Sequence, residues 1–243
     1  MSLLEVPLMS LLEVQGVMVR FGGVMAVGGV DLDAEVGQVT GLIGPNGAGK
    51  TTLFNVISGM QEPTAGQVFV SGVDITREAP HRRAKRGLAR TFQRLELFSS
   101  LTVRDNVRVA AELAAVPDVD GTVDTLLDKV GLSHLAASAA GDLPTGSARL
   151  VEIARALATM PRLLLLDEPA SGLDDSETER LGGLLRELAA DGLGVLLVEH
   201  DMHLVMQVCD RIHVLDLGNI IAVGTPNEIQ HDDAVLQAYL GTS

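Results

Sequence analysis

One stretch of nine residues, GPNGAGKTT at 44–52, limits what this chain can fold into more than any other. It follows QVTGLIG (38–44), an apolar run of strand length, and opens KTTLFNVISG (50–59), a helical pattern closed by Gly59. Strand, glycine-rich loop and helix in that order give the spacing G-x-x-x-x-G-K-[ST] its physical meaning. The glycines let the backbone curl so that successive N–H groups face one phosphate at the positive end of the helix. Lys50 adds a point charge toward the β- and γ-phosphates of a nucleotide, and the Thr51 hydroxyl is placed to reach Mg²⁺. The alternative is a chance glycine-rich turn, which would have to satisfy every fixed position and both flanks at once.

Two further runs point to the same chemistry. LLLLDEP (163–169) reads as a strand buried on both faces whose carboxylates emerge at its carboxyl end, where α/β sheets bind ligands. Asp167 there would hold Mg²⁺ through water and Glu168 would polarise an attacking water; capping of the next helix is the plainer role for both. LLVEHD (196–201) sets His200 just beyond another apolar strand, within reach of a γ-phosphate, although a lone histidine is more often structural. A second helix start lies in DLPTGSARLVEIARALA (142–158), where a turn with Gly146 and Ser147 precedes Leu150, Ile153, Ala154 and Leu157 at helical spacing. Arg149, Glu152 and Arg155 point to other faces. Such a start also suits an anion, so the chain carries two phosphate sites.

Strands are expected at 11–20 and 24–34 around RFGG, and at 66–72, 162–167 and 194–200, with a hairpin around DLGN (216–219). Helical patterns fill 102–158, broken by Pro117, Gly121, Gly131 and Gly141, and recur at 176–190 and 201–208. Strand–loop–helix alternation at both ends, with helices between, predicts an α/β nucleotide-binding core (11–93 and 156–243) with a helical insertion over 94–155.

The 47% apolar fraction supplies an ample core, built from Leu, Val, Ile and Ala because aromatics are only 2%. With 18 basic against 32 acidic residues the net charge is −14, which argues against nucleic acid or an anionic membrane surface as the main partner. Cys209 is the single cysteine, which excludes an internal disulfide or a zinc cluster and fits a reducing compartment. No apolar run approaches the roughly 18 residues that cross a bilayer. MSLLEV occurs at 1–6 and again at 9–14, which suggests an extension over 1–10, with the working protein beginning near Met9.

Taken together and in this order, the motifs resemble those of the ATPase subunits of ABC transporters, over nearly the whole chain from Leu11. GPNGAGKTT resembles Walker A, LLLLDEP Walker B, SGLD (171–174) the D-loop and His200 the switch histidine. RTFQ places Gln93 at the Q-loop, where the family contacts Mg²⁺ and the attacking water. RFGGVMAV, GLARTFQRLELF, EIARAL, VEHDMHLVM and AVLQAYLG are together similar to the importer subfamily for branched-chain amino acids and related solutes.

The resemblance implies a P-loop NTPase (RecA-like) core of the α/β class, with an antiparallel β subdomain and an inserted helical subdomain. It implies ATP held by Phe21 against the adenine, by Asn46, Gly47, Ala48, Gly49, Lys50, Thr51 and Thr52, and by Asp174. Mg²⁺ would be held by Thr51, Gln93 and Asp167, with Glu168, His200 and Gln93 catalytic. It also accounts for the second phosphate site. Two cassettes stack head to tail, and LPTGS (143–147) holds the signature position, so Gly146 would meet a partner's ATP.

The signature departs from the family's LSGGQ. Pro144 replaces the serine whose hydroxyl would bind the γ-phosphate, while Thr145 and Ser147 replace Gly and Gln. A hydrogen bond to a charged group contributes about 1.5–3 kcal/mol, so the change weakens the site without removing the Gly146 N–H.

The partners implied are a second ATPase chain, identical or different, membrane permease subunits and, indirectly, a solute-binding protein, at the cytoplasmic face of the membrane. RLELFSS (94–100), with Leu95, Leu97 and Phe98, would supply the permease contact. Two other classes compete: a soluble ABC ATPase of translation or DNA repair, and a regulatory ATP-binding module with an impaired signature.

Overall fold

The computed structural model describes residues 10–240. The expected extension lies outside them up to Met9, whereas the Ser10 hydroxyl donates to Glu35 at 2.8 Å. The chain opens with the hairpin β1 (Leu12–Phe21) and β2 (Val24–Ala34) and then β3 (Val39–Ile43), which runs through the glycine-rich loop into α1 (Lys50–Ser58). β4 (Ala65–Val70), β5 (Val73–Asp74), α2 (Pro80–Lys85) and β6 (Leu88–Arg90) follow. The middle of the chain holds α3 (Val103–Leu113), α4 (Val119–Lys129) and α5 (Thr145–Leu157). Then come β7 (Leu163–Asp167), α6 (Asp175–Ala190), β8 (Gly194–Val198), α7 (Met202–Val208), β9 (Arg211–Asp216), β10 (Asn219–Gly224), α8 (Pro226–Gln230) and α9 (Asp233–Leu240).

The strands form two sheets. One is antiparallel, ordered β2-β1-β4-β5; the other is ordered β10-β9-β3-β8-β7-β6 and is parallel except for β10 at its edge. β3, β7 and β8 are buried along their whole length because both faces of the larger sheet are covered. The pleat divides the leucines of β7 between two cores. Leu164 and Leu166 join the cluster under α3–α7, while Leu163 and Leu165 join the one shared by α1 and the antiparallel sheet.

Local signals set several boundaries. α1 ends at Gly59 with φ 81°, α3 is capped by the Thr102 hydroxyl accepting from the Asp105 N–H, and α6 carries an Asp174–Glu177 capping box. The helical stretch expected over 102–158 resolves into α3, α4 and α5, which pack on one another. β5, α2, β6, α8 and α9 were not foreseen from the sequence. Tyr239 of α9 is half-buried and forms a hydrogen bond with the backbone of Gly44, which ties the end of the chain to the start of the glycine-rich loop.

Candidate nucleotide site

The loop between β3 and α1 can be built only with glycine at its two ends. At Gly44 (φ 150°) a Cβ would lie 1.9 Å from the Leu215 carbonyl oxygen, and at Gly49 (φ 110°) 2.4 Å from that of Ala26. At Gly47 (φ 80°) a Cβ would meet nothing within 4 Å, so this turn faces open space. Asn46 and Gly47 are exposed, Ala48 is buried, and Thr51 is exposed on the first turn of α1 beside half-buried Thr52. Lys50 is buried, and its Nζ donates to the carbonyls of Gly44 (2.6 Å) and Pro45 (3.0 Å). Burial lowers the pKa of its amine, against the opposing charges of Glu168 and Asp167.

Those two carboxylates stand where β7 ends. Glu168 takes a left-handed backbone (φ 50°), and its N–H donates to the Val198 carbonyl at the end of β8 (2.9 Å). The Gln93 Nε2 donates to Glu168 Oε2 at 2.7 Å, and His200 Nδ1 lies 3.9 Å from the same oxygen. The structure thus brings Gln93, Glu168 and His200 together, although they are 75 and 32 residues apart along the chain. Asp167 is buried, and its Oδ2 accepts from Arg90 Nη2 at 2.9 Å. Thr51 on the first turn of α1, Asp167 at the end of β7 and the remaining Gln93 oxygen offer oxygen donors only, on the elements that flank the phosphate loop. That set fits Mg²⁺, which prefers carboxylate, hydroxyl and water ligands.

Sequence reasoning missed Glu199. It is fully buried, and its Oε1 accepts from the Ala170 N–H (2.7 Å) and its Oε2 from the His200 N–H (2.9 Å). It therefore splices the loops that carry Glu168 and His200. The only signal was an acid closing an apolar strand.

The second helix start also forms. α5 begins at Thr145, one residue before the expected turn, with Pro144 at its N-cap and no side chain capping it. Gly146 is buried against α6, where a Cβ would fall 2.2 Å from Glu177 Oε1, and Thr145 Cγ2 lies 3.3 Å from the Cβ position of Gly172. Asp174 spends its carboxylate on the Glu177 N–H and the Ser176 hydroxyl, which hold its pKa down.

Arg149 and Glu152 are buried as an ion pair (3.0 Å) rather than turned to solvent. Arg149 donates to the carbonyls of Phe92 (3.0 Å) and Gln93 (2.5 Å), and Glu152 accepts from the Glu96 N–H (2.6 Å). α5 therefore grips the backbone on both sides of Gln93.

Phe21 is exposed at the end of β1, beside the Gly22–Gly23 turn, and is not core. Leu95 and Phe98 are exposed too, whereas Leu97 packs against the core; Arg155 lies over the Phe98 ring at 4.9 Å. Among the described residues no helix is long and apolar enough to cross a membrane.

Comparison with known proteins identifies the family. The ABC transporter family pattern matches residues 27–171, and that of the branched-chain amino acid ATP-binding cassette transporters matches 219–243. The chain is 41% identical to the high-affinity branched-chain amino acid transport ATP-binding protein BraF of Pseudomonas aeruginosa, over 95% of this chain and 98% of that one. It is 39% identical to LivG of Escherichia coli, with the same coverage, and 34% identical to the lipopolysaccharide export ATP-binding protein LptB of Haemophilus influenzae, over 96% and 98%. Among solved structures, the ADP conformation of an ATP-binding cassette of an ABC transporter superposes with a TM-score of 0.87 at 32% identity, covering 96% of this chain and 99% of that one. A nucleotide-free cassette gives 0.86 at 31%, covering 95% and 99%. The chain belongs to the ATP-binding cassette family of ABC transporters.

Proposed function

We propose that this chain is the ATP-hydrolysing subunit of an importer for branched-chain amino acids or closely related solutes. The observation that carries the hydrolytic reading is the meeting of Gln93, Glu168 and His200 at the carboxyl end of the parallel sheet, beside Lys50 and Asp167. Lys50 and the loop amides bind the phosphates, and Thr51, Asp167 and Gln93 are the groups that hold Mg²⁺. When bound, Mg²⁺ neutralises charge on the β- and γ-phosphates. Glu168 orients and deprotonates the attacking water, and His200 contacts the γ-phosphate. Phe21 stacks on the adenine, and Asp174 lies at the edge of the same site. The solute class follows from the C-terminal family pattern and the relatives named above.

The site is completed by a second cassette, whose α5 start faces the γ-phosphate as Gly146 of this chain faces the partner's. Residues 94–155 form the helical arm, and exposed Leu95 and Phe98 on it are the surface for a permease at the inner face of the membrane. Co-purification from membranes tests the assembly, and reconstitution in liposomes tests the substrate. The expected result is a permease pair bound to this chain, with Mg²⁺-dependent ATPase stimulated by a solute-binding protein loaded with leucine, isoleucine or valine. Recovery with an exporter's membrane subunits instead, or no stimulation by any of the three, would overturn the importer reading.

A further inference from the structure

Arg90, the last residue of β6, has a charged side chain that is 8% exposed. Its Nη2 donates to Asp167 Oδ2 at 2.9 Å, and its Nη1 donates to Asn55 Oδ1 (2.7 Å) and Ser58 Oγ (2.8 Å), both on α1. The guanidinium lies over the rings of Phe54 on α1 and Phe92, with centroids 5.3 and 5.1 Å from Cζ. One side chain therefore touches the helix that starts at the phosphate loop, the strand end that carries Asp167, and the residue directly before Gln93. These elements supply Thr51, Asp167 and Gln93.

An ion pair this deep costs desolvation on both sides and contributes little to net stability compared with apolar packing. Its geometry matters more than its energy. The bond occupies one oxygen of Asp167 and leaves Oδ1 for another partner. A planar fork can span Asp167 on one side and Asn55 with Ser58 on the other, whereas an ammonium is a point charge and cannot.

We propose that Arg90 is a positioning residue for Mg²⁺, holding the Asp167 carboxylate so that its second oxygen meets a metal-bound water in register with Thr51 and Gln93. This rests on the reading of Asp167 as a carboxylate of the metal site. Loss of a group that orients a ligating carboxylate characteristically weakens metal binding by about 10- to 100-fold.

The test is equilibrium titration of trinitrophenyl-ATP, followed by fluorescence, on the full chain and its Arg90→Lys and Arg90→Gln variants. In EDTA, both variants should bind the probe within about twofold of wild type, because Lys50 and the loop amides do not depend on Arg90. The Mg²⁺ concentration that half-saturates the metal-dependent change should rise by about tenfold or more. In the Asp167→Asn background, Arg90→Lys should add no further shift, and kcat should fall more than the KM for MgATP changes.

An unchanged or lower Mg²⁺ midpoint would overturn the proposal, since the guanidinium would then be idle or a mere competitor for the carboxylate. Equal loss of probe binding in EDTA would reduce Arg90 to a general structural residue. Persistence of the full shift in the Asp167→Asn background would route its effect elsewhere. A wild-type chain that binds the probe with no response to Mg²⁺ would remove the metal reading of Asp167, and this inference with it.

Discussion

The side-chain amide of Gln93 hydrogen-bonds the carboxylate of Glu168 at 2.7 Å, joining the segment after β6 to the end of β7. Glu168 is thereby aimed by a neighbour as well as by its own left-handed backbone. Glu168→Gln should leave ATP binding within a few-fold of wild type and slow hydrolysis by at least about 10²-fold, the usual share of a general base. Single-turnover hydrolysis of radiolabelled ATP at saturating Mg²⁺ reads this directly; near wild-type turnover would take Glu168 out of the mechanism.

The start of α5 has no capping side chain, and Pro144 offers no hydroxyl. Changing Pro144→Ser together with Thr145→Gly should raise the steady-state ATPase of the isolated chain by about tenfold, the worth of one regained hydrogen bond to a charged group. The comparison needs matched thermal stability. No gain, or a loss, would show that Pro144 and Thr145 already form a working signature.

Arg149 and Glu152 are a buried pair. Arg149→Ala strands the Glu152 carboxylate and frees the Phe92 and Gln93 carbonyls, and should cost about 3–5 kcal/mol in urea unfolding. Replacing both at once, Arg149→Met with Glu152→Leu, should be less destabilising than the single change while still loosening Gln93. If the double variant is the worse folded, the pair is a net stabiliser and this account is wrong.

His213 on β9 is 2% exposed, and burial pushes its pKa down from 6.5 to about 4, against the pull of the Asp33 carboxylate 3.8 Å away. The native state therefore holds it neutral. Below pH 6.5 the unfolded chain binds a proton that the folded one does not, so its contribution is intact above that pH and is lost as pH falls toward 4. The full loss is on the order of 3 kcal/mol. His213→Leu should flatten the fall in denaturation midpoint between pH 7 and 4.5; an unchanged slope would assign the acid sensitivity to other groups.

The sequence revealed those parts of the molecule where one local pattern carries the whole reason. β3, the glycine-rich loop and α1 are legible because an apolar run, obligatory glycines and helical spacing adjoin. β7 is legible because four leucines feed two cores. α2 was not, since six residues rich in charge show no periodicity. It is held by Arg83, whose Nη1 donates to the carbonyls of Val56 and Ile57, both at 2.7 Å, 27 and 26 residues away. Arg90, Arg149 and Glu199 escaped for the same reason. Each reaches a segment distant along the chain: Arg90 the Asp167 carboxylate, Arg149 the Phe92 and Gln93 carbonyls, and Glu199 the Ala170 N–H, and a local pattern does not show such a contact.

Lys50 rests on the carbonyls of Gly44 and Pro45, so the loop's own backbone holds a cation at its centre. If Lys50 binds a phosphate as proposed, that phosphate takes over a side chain which the loop's own carbonyls also hold. The affinity contributed by this lysine is then the difference between two sets of acceptors, smaller than a sum of phosphate contacts would give.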